Sequence, residues 1–122
     1  MRMMVLVKAT EASEAGRMPT PEFLETMGAY NRELVEAGIM RDGAGLRPTR
    51  DARRVDLRGE GGTADGPFPA EEGPVSGFWM WEVADMEEAT AWARRCPTSP
   101  AGPHALELRP LYEPQDYESA ED

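Results

Sequence analysis

The chain has one cysteine, one histidine and one lysine. Each scarcity removes a class of chemistry. A lone Cys96 excludes an intrachain disulfide and gives no sign of an oxidising compartment. A lone His104 argues against a metal site built on histidines, and any Ser-His or Cys-His dyad would have to use that residue. No metal and no cofactor are expected. No apolar run approaches the ~18 residues of a membrane-spanning helix. The opening "MRMMVLVKAT" has too short an apolar stretch, and no cleavage pattern, for a signal peptide. A cytoplasmic location is therefore expected. Basic residues are also few, 13 Lys and Arg against 23 Asp and Glu, for a formal charge of −10. That field repels phosphate backbones, so no nucleic-acid partner is expected.

What remains is enough for one domain of 122 residues, 1–122, with an acidic tail at 111–122 expected to fray. "RMMVLVK" (2–8) is apolar on both faces and reads as a buried strand. The polar stretch 9–18 reads as a long loop. A helix follows over 21–37, with Thr20 as N-cap, Pro21 in the first turn and Gly38 just past the end. Phe23, Met27, Tyr30 and Leu34 form its apolar stripe. A glycine-bearing strand is expected at 39–48, its glycines admitting a close neighbour. A strand at 52–58 then turns through "GEGG" into "TAD" as a hairpin.

The clearest strand is 75–83, with Gly77, Trp79, Trp81 and Val83 on one face and Phe78 and Met80 on the other. Asp85 and Glu88 mark the start of a second helix whose inner face is Ala89, Trp92, Ala93 and Cys96. "CPTSPAGP" reads as a rigid loop, and 104–110 as a last strand with Glu107 and Arg109 sharing a face. The order β-α-β-(β-hairpin)-β-α-β predicts an α+β, ferredoxin-like layer: an antiparallel sheet with two helices on one face. The apolar residues on both faces of 75–83 predict that a second copy covers the other side.

Several side chains are candidates for a site. Asp65 is a turn former beside Gly66, which permits positive φ, and Pro67; it is also a candidate acid or base, with Tyr30 as its partner in proton transfer. Lys8 ends the first strand and could pair with Asp65 or hold an anion. Asn31 is a poor helix-interior residue and suits a polar role at a cleft. Trp79 and Trp81 could wall a ligand or fill the core.

The segments "VKATEASEAGRMP", "AYNREL", "AGIMRDGAGLRPT", "TADGPF", "GFWMWEV", "EEATAWARRCP" and "LELRPLYEPQDY" occur here in a definite order and spacing. That ordered set resembles the YCII-related, DGPF-domain family over nearly the whole chain. The resemblance implies a dimeric α+β barrel in which two sheets pack face to face around a cleft. It implies a homodimer of undefined activity, binding a small molecule or serving as an accessory to a sigma factor. It also carries an alternative: a small cofactor-free lyase, isomerase or hydrolase acting on an organic acid. The chain departs from the family pattern at three places. Ala44 stands where an acidic residue is usual. Residues 70–73 lack the usual charged run. No histidine stands near Tyr30, where enzyme-like relatives carry one.

Overall fold

The first strand, read as buried, is present, and its burial alternates along the chain. In the computed structural model, which describes residues 1–99 and 104–118, strand β1 (Arg2–Lys8) buries Met3 and Val5 completely. It lies at the centre of a four-stranded antiparallel sheet with β2 (Met40–Gly45), β5 (Val75–Glu82) and β6 (Leu106–Pro110) in the order β2-β5-β1-β6. Strands β3 (Arg53–Val55) and β4 (Thr63–Asp65) form a separate two-stranded hairpin. The α+β class and the antiparallel sheet expected from the sequence are present.

One sheet face carries the core. Met3 pairs with Trp81 and Val5 with Trp79, so these four side chains stand in adjacent rows. Helix α2 (Pro21–Glu36) lays Tyr30 and Leu34 onto them, and helix α3 (Met86–Ala93) adds Ala89. The ends of α2 follow from its sequence. Thr20 accepts from the Phe23 N–H at the start. At the other end Gly38, at φ 74°, lets the Ile39 N–H reach Leu34 O at 2.9 Å, and Ile39 folds back into the core beside Leu34. Helix α3 starts at Asp85 as expected, although Glu88 bonds back to the Ala84 N–H, one residue before the cap.

Two local expectations need correction, and one is met. The stretch 9–18 contains a short helix, α1 (Glu11–Glu14), closed by a reciprocal Thr10–Ser13 capping box. The close neighbour expected at the β2 glycines is present at Gly43, where a Cβ would sit 2.8 Å from Trp79 Cδ1 and 3.2 Å from Phe78 O, whereas at Gly45 a Cβ would meet nothing within 4 Å. Gly66 does not adopt positive φ; it lies before a cis peptide bond to Pro67. Its lack of a side chain is needed because a Cβ there would run into the Thr49 carbonyl.

At the C-terminal end, Pro114–Glu118 form helix α4 within the segment expected to fray, with Tyr112 and Tyr117 rings 5.4 Å apart. Residues 119–122, and the 100–103 part of the expected rigid loop, lie outside the described residues. Among the described residues, no helix is long and apolar enough to cross a membrane.

The opposite sheet face is read from the register. Asp42, Met80, Met4 and Arg109 form one row across the sheet; Ala44, Phe78, Leu6 and Glu107 form the next. Met4, Leu6, Phe78 and Met80 are half-buried and stand outside the core cluster. Arg109 and Glu107 are paired at 3.2 Å at the edge of this patch.

Candidate functional site

The end of β1 is where the unusual residues converge. Lys8 leaves the sheet there, α1 follows, and the turn after β4 folds back toward both. Lys8 Nζ donates to Gly73 O at 2.8 Å. Gly73 is at φ 67° and closes a 3₁₀ turn over Ala70–Glu72. That turn occupies the positions of the altered charged run.

Thr49 ties this corner together. Its backbone N–H and its hydroxyl both donate to the Glu14 carboxylate of α1, at 3.1 and 2.5 Å. Its hydroxyl oxygen also accepts from the Phe68 N–H at 3.0 Å. The Asp-Gly-Pro-Phe turn is thereby fastened to α1 through one threonine and one glutamate. Sequence reasoning gave neither Glu14 nor Thr49 a role, although both fall inside the segments that carry the family resemblance. Between α1 and the turn lies an open groove of about 480 Å³, lined by Lys8, Thr10, Glu11, Glu14, Phe68 and Gly73 among others.

Asp65 stands outside this groove. It pairs with Arg53 across the hairpin, with Arg53 Nε 2.6 Å from Oδ1, and both side chains are well exposed. Arg54, the next residue on β3, pairs with Glu72 at 2.9 Å and lies 3.8 Å from the centre of the Phe68 ring. The arginines of β3 therefore neutralise the turn's carboxylates, and Lys8 does not partner Asp65.

Tyr30, Asn31, Trp79 and Trp81 meet on the helix-covered side of the sheet. The Tyr30 hydroxyl donates to Trp92 O at 2.7 Å, and burial raises its pKa above the ordinary 10.0. Tyr30 meets Trp79 edge-on at 5.8 Å, and Trp79 leans on Trp81 at the same separation. Trp79 Nε1 donates to Asn31 Oδ1 at 3.0 Å. Trp81 is wholly buried, and its indole N–H has no hydrogen-bond partner among the described residues. The six candidate residues thus occupy three places: the exposed hairpin (Asp65), the end of β1 (Lys8), and the core (Tyr30, Trp79 and Trp81) with half-buried Asn31 at its edge.

Among the described residues, no group of three or more His, Cys, Asp or Glu side chains is arranged to hold a metal ion. Cys96 is half-buried, and burial pushes its thiol up to about 11, away from thiolate chemistry at neutral pH.

Comparison with known proteins agrees with this arrangement of segments. A model of the YCII-related domain matches residues 1–112. An uncharacterized protein of Rhizobium meliloti (strain 1021) is 31% identical over 99 residues, covering 79% of this chain and 80% of that protein. With the match running from the first strand through the last strand of the sheet, the chain belongs to the YCII-related family.

Proposed function

We propose that the chain is a homodimeric small-ligand-binding or accessory protein with no strong catalytic activity of its own. The observation that carries this reading is the dispersal of the candidate acid–base groups. The Tyr30 hydroxyl is committed to a backbone carbonyl inside the core, and Asp65 is committed to Arg53 on an exposed hairpin. A proton-transfer pair needs both groups within hydrogen-bond reach of one substrate. The alternative, a lyase, isomerase or hydrolase acting on a small organic acid, has less support because nothing among the described residues brings those two groups together.

The dimer is supported by the second sheet face. Met4, Leu6, Phe78 and Met80 make a connected apolar patch bordered by charged residues, the pattern of an interface core with a polar rim. An acidic exterior at −10 also favours a basic protein partner, such as a sigma factor, for the accessory role.

Sedimentation of the wild type and of Phe78→Glu tests the assembly: a dimer and a monomer are expected. A monomeric wild type would remove the dimer from this reading. A turnover screen on small organic acids tests the rest. A specific reaction abolished by Asp65→Asn would overturn the non-catalytic reading in favour of the enzyme.

A further inference from the structure

A second cavity lies on the other side of Lys8. It encloses about 190 Å³ between β1, the segment after α1 and the first turns of α2. Phe23, Met27 and Met18 supply much of its apolar lining. Lys8, Arg17 and His104 line it as well, so the chain's one lysine and one histidine share a cavity with an arginine. Among the described residues no Asp or Glu lines it, in a chain with 23 acidic residues against 13 basic ones. The Glu11 and Glu14 carboxylates belong instead to the groove on the far side of Lys8.

Arg17 has capacity to spare. Arg17 is exposed and its guanidinium has no hydrogen-bond or ion-pair partner among the described residues. The Lys8 ammonium is held at Gly73 O, which lines the first groove and not this cavity, so Lys8 borders the space without turning its charge into it. The space has room for a small molecule and opens to solvent beside the exposed Met18.

We propose that this cavity binds a small monocarboxylic acid, with its carboxylate toward Arg17 and His104 and its apolar body against Phe23 and Met27. The assignment rests on the ligand-binding reading above, and gives it a ligand class and a place on the helix-covered side of the sheet.

Benzoate, with benzyl alcohol as a neutral isostere and benzylamine as a cation, is the probe set, titrated by NMR on the intact chain. Saturable benzoate binding is expected, with both controls weaker by about tenfold or more, the order a charge-assisted hydrogen bond contributes. Arg17→Gln should weaken benzoate by a similar factor and leave benzyl alcohol unchanged. Met27→Trp, which fills the apolar end, should abolish binding while the far-ultraviolet spectrum stays native. The proposal is overturned if benzoate does not saturate, if the alcohol binds as well, or if binding survives both substitutions. Sedimentation of the same samples separates the two readings: a monomer that still binds benzoate removes the dimer and leaves this site standing.

Discussion

The indole N–H of Trp79 donates to the side-chain oxygen of Asn31 at 3.0 Å, across 48 positions of sequence. A mid-helix asparagine, disfavoured by propensity, is thus the partner of a buried strand residue. Asn31→Leu should leave the indole N–H unpaired and lower unfolding free energy by roughly 1–3 kcal/mol. Asn31→Asp keeps an acceptor and should cost less. Urea melts of the two variants check the order; equal losses would show that the oxygen is not what matters.

The Asp-Gly-Pro-Phe turn should be intolerant at its glycine. Gly66→Ala drives a methyl group into the Thr49 carbonyl, and a loss of roughly 1–3 kcal/mol is expected. Gly45→Ala, where a Cβ meets nothing within 4 Å, should change stability by no more than about 0.5 kcal/mol. Comparable melting temperatures for the two variants would contradict this account.

Thr49 should hold the turn to α1. Thr49→Val removes the acceptor of the Phe68 N–H and one donor to Glu14. Amide exchange at Phe68 should quicken well beyond that of Trp81, whose N–H belongs to the central sheet. Unchanged exchange at Phe68 would mean that the turn is held by other contacts.

Alkaline pH should weaken the fold through Cys96. Burial raises its thiol from 9.0 to about 11 in the folded chain. A raised pKa means that the folded state keeps the proton longer. Its stabilising contribution is therefore complete below about pH 9 and is lost as pH rises toward about 11. Tyr30, shifted upward by burial as well, extends the decline further. Melting temperatures taken from pH 8 upward should fall less steeply for Cys96→Ala than for the wild type. Parallel curves would rule the thiol out.

Asp65→Asn should matter little to stability. The Arg53 pair is exposed on both sides, and such pairs contribute about 0.2–1 kcal/mol. The difference from wild type should vanish in molar salt. A loss of several kcal/mol would point to a structural role beyond the hairpin pair.

The sequence made elements legible where periodicity was strong. The stripe Phe23, Met27, Tyr30 and Leu34, with Thr20 and Gly38 at its ends, marks α2 to within a residue. The alternation of Trp79 and Trp81 with Phe78 and Met80 marks β5 and its two faces. Helix α1 carried no such pattern: it is four residues long, buries only Ala12, and is set by the Thr10–Ser13 cap. The site was less legible because its decisive contacts are distant in sequence. Local rules make Gly66 a turn glycine, whereas a carbonyl at Thr49 explains it. The position of Tyr30 on an apolar stripe could be read, but not that Trp92, 62 residues later, takes its hydroxyl. Likewise Lys8 stands out by its rarity, while no local pattern points to Gly73, 65 residues later, as its acceptor.

The placement of the indoles bears on how this molecule can be observed. Its three tryptophans are Trp79, Trp81 and Trp92: two are buried, and the third packs against the same core. Ultraviolet emission therefore reports on the interior of the helix-covered layer, and unfolding should shift it strongly to the red. No fluorophore of this kind stands on the hairpin or the Asp-Gly-Pro-Phe turn. Events confined to those parts would be optically silent, and following them calls for an introduced label or for nuclear spins.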